Sequence, residues 1–272
     1  MPTLKQALKN KLSGQELSLL PSSFDIIGSI AIFTSFPKEL IKKEKLIAGY
    51  LLSSNHNLLT IARKTENYSG KYRLQKIKII AGRQTKEAIH KENGIILKLN
   101  VETCYFSPRT AGERLRIASL VKPQESVLVL FSGIAAFPIV ISRNSHSKEV
   151  YCIEINPLAH KYALENIRLN KITNITALKG DVKTILPKLK KKFDRILMPL
   201  PKNAEDYLDM ALKSLNPQGV IHFYDFSQEK DFPSSSLAKI KKHCKKFKIL
   251  NKVICGNYAP FTKRVCIDFQ PL

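Results

Sequence analysis

The sequence contains no apolar run long enough to cross a membrane, and its opening residues, MPTLKQALKNKLSG, lack the apolar core of a secretion signal. A soluble, cytoplasmic protein is therefore expected. Its five cysteines (Cys104, Cys152, Cys244, Cys255 and Cys266) form no CxxC pair and stand at no zinc-like spacing from the six histidines. Reduced thiols and no structural metal follow. Neither GxxxxGK[ST] nor the three-glycine turn of a dinucleotide site occurs, which argues against ATP and NAD as ligands. Repeats and low-complexity tracts are absent, and 44% hydrophobic residues suit a packed globular chain. Acidic residues are scarce: 22 Asp and Glu stand against 45 Lys and Arg, giving a net charge of +23. Such a charge gathers polyanions and speeds their encounter. The competing explanation is a lysine-rich proteome or heat adaptation, with clusters such as KLKKK (188–192) and KIKKHCKKFK (239–248) as solvated helix faces. Nucleic acid ranks first between the two.

Two grammars share the chain. Residues 1–20 read as a short basic helix and a lead-in. Short apolar strands follow (IIGSIAIF, LLTIARK, YRLQKIKII, GIILKLNV), separated by turns such as SSNHN and ENYSGK. After CYFSPRTAGERLRIASLV (104–121), strands alternate with helices, which predicts right-handed crossovers and a mainly parallel sheet. Asn156 and Pro157 are placed to start a helix whose apolar stripe is Leu158, Tyr162 and Leu169. A second helix buries Ala204, Tyr207, Leu208, Ala211, Leu212 and Leu215. The strand after it begins at GVIHFYDF. ILNKVICGNY and KRVCIDFQ then form an antiparallel hairpin at the sheet edge. The expected fold is α/β: a small β-rich α+β domain over 1–102, then a Rossmann-type domain over 103–272.

Strand ends carry the chemistry in such a sheet. VLVLFSGIAAF ends a buried strand in a small-residue loop, where Gly133, Ala135 and Ala136 let a nucleoside approach the backbone. Taken alone this is an ordinary strand–helix turn. Glu154 ends the next strand, about twenty residues on, where a carboxylate accepts from both ribose hydroxyls; an acidic residue near a helix N-terminus is the plainer explanation. Asp181 ends the third, within reach of an adenine amino group. Together they favour an adenosyl cofactor without phosphates, such as S-adenosylmethionine. YFSPRTAGER (Tyr105 to Arg114) mixes two arginines and a glutamate with Tyr, Pro and Gly at the junction of the modules. Surface ion pairing would account for it; the alternative is a base-entry site with Glu113 as general base.

These blocks resemble one family. LPSSFDIIGSIAIF, YRLQKIKIIAGR, HKENGIILKLNVETCYFSPRTAGER, LFSGIAAF, EINPLAHKYALENIRLN, FDRILMPLP and YAPFTKRVCIDF occur in the order found in archaeal and eukaryotic tRNA (guanine-37-N1) methyltransferases and their wyosine-pathway relatives. The resemblance runs from about Leu20 to Phe269. It implies a class I methyltransferase domain behind a small RNA-binding domain. It does not extend to the further N-terminal domain with which larger members check the tRNA elbow. S-adenosyl-L-methionine is the implied cofactor, and the anticodon stem-loop, of phenylalanine tRNA in particular, the implied partner of a monomer. The resemblance makes Glu113 the general base and Arg73 the cation opposite the guanine carbonyl oxygen. Tyr105, Arg109 and Arg114 fall on the active-site loop. Glu154 and Asp181 hold ribose and adenine, and Phe131, Gly133, Ile155, Val182 and Arg109 complete the cofactor site. Tyr105, Arg114 and Lys202 meet the RNA. Two departures stand out. The family's D-x-F-x-G-x-G is Val129-Leu130-Phe131-Ser132-Gly133-Ile134-Ala135 here. Its Asn-Leu-Pro corner is Pro199-Leu200-Pro201, as in the branch that methylates the tricyclic base 4-demethylwyosine, some members of which also methylate guanosine. Proline offers no directed hydrogen bond, so the corner is expected to tolerate a third ring. Two rival readings are transfer of the cofactor's aminocarboxypropyl arm and a tRNA-binding protein without catalysis.

Overall fold

Residues 3–66, 69–200 and 202–272 are described by the computed structural model, and the chain divides into two units, Met1–Lys91 with Ile96–Pro108, and Glu92–Ile95 with Arg109–Leu272. In the first unit, helices α1 (Leu4–Ala7) and α2 (Gly14–Ser18) replace the single basic helix expected, because Thr3 with Gln6 and Ser13 with Glu16 form two separate capping boxes. The run read as one strand, IIGSIAIF, is a hairpin of β1 (Phe24–Ile27) and β2 (Ile30–Phe33). The chain crosses through α3 (Glu44–Ser53) to β3 (Thr60–Lys64), parallel to β2, and β4 (Ile77–Gly82) closes the sheet antiparallel. The strand pattern does not predict α3, which buries Ile47, Ala48 and Leu51 against Phe33, Ile61 and Ile80. β5 (Glu87–Glu92) and β6 (Ile95–Asn100) pair separately across Asn93-Gly94, both at positive φ as a two-residue hairpin turn requires.

Gly28 closes the β1–β2 turn at φ +57, and a Cβ there would stand 2.3 Å from the carbonyl oxygen of Ile89. Both the conformation and the contact demand glycine.

The second unit opens with α4 (Ala111–Leu120). The alternation then runs β7 (Ser126–Leu130), α5 (Ala136–Asn144), β8 (Glu149–Glu154), α6 (Pro157–Leu169), β9 (Ile175–Lys179), α7 (Val182–Ile185), β10 (Phe193–Met198) and α8 (Leu208–Lys213). β11 (Leu215–Gln228), α9 (Ser234–His243) and the hairpin β12 (Phe247–Ala259) and β13 (Thr262–Pro271) complete it. The sheet order is β12-β13-β11-β10-β7-β8-β9, and only β13 and β12 run antiparallel to their neighbours. Strand order reverses between β7 and β10, so the switch point, where open parallel sheets bind ligands, lies at the carboxyl end of β7. Leu128, Leu130, Ile196, Met198, Phe223 and Phe269 fill the core.

Two expectations fail here. On α6 the buried face is Ala159, Ala163, Asn166 and Ile167, while Leu158 and Leu169 are 48% and 46% exposed. Small residues let that helix sit close to the sheet and turn the leucines outward. β11 begins four residues before GVIHFYDF: Asn-Pro-Gln-Gly, which reads as a turn, is absorbed as a register shift against β10.

Gly28→Ala is expected to destabilise the first unit by at least about 2 kcal/mol. Hydrogen exchange should show lost protection in β1–β3 and unchanged protection in β7–β10.

Candidate active site

The loop leaving β7 takes left-handed steps at Phe131 (φ 55), Gly133 (φ 56) and Ala135 (φ 65). Alternate left-handed residues turn backbone N–H groups toward the end of β8. The Gly133 N–H donates to Glu154 Oε2 at 2.6 Å, and the Asn156 N–H donates to Oε1 at 2.7 Å. The Gly180 N–H donates to the Glu154 carbonyl at 2.9 Å, which ties in the end of β9. Three strand ends are thus joined into one ledge. Burial pushes the Glu154 carboxyl above its ordinary range, more than the donated N–H bonds pull it down. Ala135 occupies the left-handed position where the resembling family has glycine. The strain of about 1–2 kcal/mol is largely offset by its fully buried methyl, worth about 0.8 kcal/mol, and by the entropy glycine would lose.

Asp181 follows β9, half-buried, and caps α7 by accepting from the Lys183 N–H at 2.9 Å. Val182 is buried and Ile155 half-buried. Phe131 packs edge-on to Tyr207 with centroids 4.8 Å apart, and the Lys183 ammonium stands 5.3 Å from the Tyr207 centroid. Tyr207, expected to pack in the core, does pack against it, half-buried and beside Phe131.

α4 turns Glu113, Arg114, Ile117 and Ala118 inward. Both Glu113 oxygens accept from Arg116, at 2.7 Å each, and Oε1 also accepts from the Tyr224 hydroxyl at 2.6 Å. Arg116 donates onward to Asp268 at 2.7 Å, and Asp268 meets His222 Nδ1 at 2.6 Å. His222 Nε2 lies 2.7 Å from Arg195, which forks onto Glu125 at 2.7 and 2.9 Å. Burial holds the imidazole neutral, with Nδ1–H on Asp268 and Nε2 accepting from Arg195. Asp268 stays ionised because Arg116 and the Nδ1–H both favour its charge. His222, Cys266 and Asp268 bring possible metal-ligand atoms within 4.8 Å of one another, but both imidazole nitrogens are already engaged. Tyr224, Arg116, His222 and Asp268 were missed from sequence; the available signal was polar residues inside apolar strands (HFYDF, VCIDF).

The remaining expected site residues lie as follows. Arg114 is buried, forked onto Glu92 with the shorter-range partner Thr110 at 2.6 Å. Arg109 is exposed on the turn before α4, as is Lys202 after β10. In the first unit, Arg73 sits at φ 51 with its guanidinium 5.4 Å from the Tyr105 ring centroid. Pro199 is half-buried directly after β10, and the Leu200 N–H turns back to the Met198 carbonyl at 2.8 Å. Pro201 lies outside the described residues. A cavity of about 380 Å³ lies at the opposite edge of the sheet, lined by Glu125, Asp194, Arg195, His222 and Asp268, most of whose charges already pair with one another.

The chain matches the model of the TRM5/TYW2 methyltransferase domain over residues 88–253 and that of the TYW2 N-terminal domain over 4–85. Trm5b of Pyrococcus abyssi, a tRNA (guanine(37)-N(1))-methyltransferase, is 40% identical over 261 residues, covering 94% of this chain and 77% of the relative. The crystal structure of that Trm5b superposes with a TM-score of 0.87 at 39% identity, over 95% of this chain and 78% of the other. A tRNA(Phe) (4-demethylwyosine(37)-C(7)) aminocarboxypropyltransferase of Methanocaldococcus jannaschii is 33% identical over 75% of this chain and 82% of its own. Taw22 of Nanoarchaeum equitans, a tRNA (guanine(37)-N(1))/4-demethylwyosine(37)-methyltransferase, is 31% identical over 77% of this chain and 85% of its own.

The neutral His222 gives a stability signature. Its folded pKa is lowered, so its contribution is complete above pH 6.5, the unfolded value, and is lost as pH falls. Glu154, whose pKa is raised, slopes the other way, losing stability as pH rises above 4.5. The difference between parent and His222→Gln isolates the first effect. In urea denaturation the parent's advantage is expected to shrink from pH 7 to pH 5.

Proposed function

The chain belongs to the TRM5/TYW2 methyltransferase family, and on that premise we propose that it methylates the purine at position 37 of tRNA, at N1 of guanosine, C7 of 4-demethylwyosine, or both. The observation that carries the reading is Glu154, a buried carboxylate joining the ends of three strands at the switch point. The donor set fits S-adenosylmethionine. A carboxylate has about four acceptor positions, and Glu154 keeps capacity for a ribose hydroxyl beyond the N–H groups of Asn156, Gly133 and Ile155. When bound, that cofactor supplies an electrophilic methyl group. Phe131, Ile155, Val182 and Asp181 are assigned to its adenosine, and Arg109 to its methionine end.

The chain's own residues do the rest. Guanosine N1 carries a proton at neutral pH, so it must be deprotonated to act as a nucleophile. Glu113 is assigned that proton, which it accepts at an oxygen now facing Arg116 or Tyr224. Arg73 is assigned to the charge gathering on O6, as a cation held by the first unit. C7 of the tricyclic base attacks as a carbon and loses its proton afterwards, so Glu113 matters less for it. Pro199 offers the base no donor, which suits a corner that admits a third ring. Residues 1–102 are assigned to RNA binding, with Tyr105 and Lys202 near the base and Arg114 acting through its fork on Glu92. The net charge of +23 supports a grip on phosphates. The anticodon stem-loop of phenylalanine tRNA, a monomeric state and a cytoplasmic setting belong to the same proposal. A second reading, aminocarboxypropyl transfer, is favoured by the relative that performs it.

Nucleoside mass spectrometry decides between them. The chain is incubated with cofactor labelled in the methyl group and with two tRNAs, one bearing guanosine and one the tricyclic precursor at position 37. A methyl increment on either base supports the proposal; an aminocarboxypropyl increment replaces it with the second reading. Glu113→Gln, checked for folding by thermal melting, is expected to slow N1 methylation by about 100-fold or more and C7 methylation by much less. Equal losses would remove Glu113 from the role of base.

A further inference from the structure

Tyr207 closes the short turn Ala204–Tyr207 that follows β10, and its backbone is anchored by Ala204 and Leu208, both fully buried. Its half-buried side chain reaches two of the loops that make the ledge. Phe131, after β7, meets the ring edge-on, with centroids 4.8 Å apart and planes at 78°. Lys183, in the first turn of α7, holds its ammonium 5.3 Å from the ring centroid. Asp181 caps that same turn, accepting from the Lys183 N–H at Oδ1. Tyr207 and Asp181 thus come together from the ends of β10 and β9, although β7 and β8 lie between those strands in the sheet.

Two polar groups are left over there. Among the described residues the Tyr207 hydroxyl has no hydrogen-bond partner, and neither has Asp181 Oδ2. Burial pushes the phenol above its ordinary range, and the nearby carboxylates of Asp181 and Asp206 push it further, so it keeps its proton. A phenylalanine would make the same ring contacts with Phe131 and Lys183. The hydroxyl is the part of Tyr207 that packing does not account for.

A phenol that donates, beside a carboxylate oxygen that only accepts, is matched by a ligand edge with an acceptor next to a donor. Adenine has such an edge: its amino group donates, and the ring nitrogens flanking it, N1 and N7, accept. Guanine and hypoxanthine set a carbonyl oxygen where the amino group stands, facing the Asp181 carboxylate. We infer that Tyr207 reads the adenine of the cofactor jointly with Asp181: Asp181 Oδ2 accepts from the amino group, and the Tyr207 hydroxyl donates to one of the flanking ring nitrogens. Phe131 and Lys183 hold the phenol in place for that bond. This rests on the assignment of an adenosyl cofactor to the ledge and adds to it a residue that selects the base of that cofactor. The loop that opens at Pro199, assigned to the tRNA base, then ends in a contact to the cofactor.

The test measures, by calorimetry on the full chain, the binding of S-adenosylhomocysteine and of its 1-deaza and 7-deaza analogues, each of which replaces one ring nitrogen by C–H. Tyr207→Phe keeps the ring and loses the hydroxyl. It is expected to melt with the parent and to bind S-adenosylhomocysteine about three- to tenfold more weakly, the loss of one hydrogen bond. With one of the two analogues, parent and variant are expected to bind alike, because the nitrogen that the hydroxyl meets is gone; with the other, the full loss should remain. A structural role cannot produce that split, since it weakens all three ligands by one factor. Parent-like affinity for S-adenosylhomocysteine in Tyr207→Phe, or the same loss with all three ligands, overturns the assignment of Tyr207 and leaves the cofactor reading intact. A parent that binds none of the three and methylates no tRNA overturns both.

Discussion

A carboxylate taken out of water must be met by donors, and Glu154 sets the terms for the ledge around it. Its side chain is buried at the end of β8, where backbone N–H groups answer it. Supplying the Gly133 N–H requires the chain after β7 to turn through left-handed steps instead of entering α5 directly. Supplying the Asn156 N–H fixes how α6 begins, and Asn156 then caps that helix with its own side chain. The main-chain carbonyl of Glu154 draws in Gly180 and with it Asp181. One buried carboxylate thereby ties together three loops that are separate in sequence, the loops to which the proposal assigns the cofactor. Missing the family's acid and second glycine does not undo it, because neither of those positions supplies the donors.

A second buried chain, from Tyr224 to Glu125, follows the same rule with side chains for partners. Glu113, Arg116, Asp268, His222, Arg195 and Glu125 alternate so that each charge borders its opposite or a neutral imidazole. Pairs of this kind contribute little net stability, but removing one member strands its neighbour at a cost of about 3–5 kcal/mol. The chain fixes where α4 sits on the sheet, and so where Glu113 faces.

What was legible in the sequence followed from local physics. β7, β8 and β9 are apolar runs ended by Gly133, Glu154 and Asp181, and the cap Asn156-Pro157 announces α6 regardless of tertiary context. The face that α6 buries was not legible, since close helix–sheet packing selects Ala159 and Ala163 over the larger Leu158 and Leu169. Asn216 to Gly219 carries every mark of a turn, yet it is taken up as a bulge between Leu215 and Val220, which both pair with β10. Glu113 stood out as an acid in an odd setting. Its neighbours did not, because Arg116 at i+3 resembles a solvated surface pair and Asp268 lies on a strand at the far end of the chain. Positive φ at Ala135 and Phe131 was equally invisible, since neither residue type signals it.

In the proposed reaction a carboxylate with both oxygens occupied has to accept a proton. The answer lies in what Arg116 is left with. Its guanidinium spans two carboxylates, Glu113 and Asp268. With the proton on Glu113 in that proposal, the half-buried Arg116 keeps Asp268 as its carboxylate partner. Tyr224 can rotate its hydroxyl proton or accept in turn, since a phenol both donates and accepts. The same proton arriving at Asp268 would leave Arg116 facing a neutral acid beside His222, with less compensation. A guanidinium shared between two acids lets one of them give up its charge, and the proposal assigns that to Glu113, which also bonds the Tyr224 hydroxyl. Breaking the Arg116–Asp268 half of the fork is therefore expected to slow the proposed N1 methylation without touching Glu113 itself.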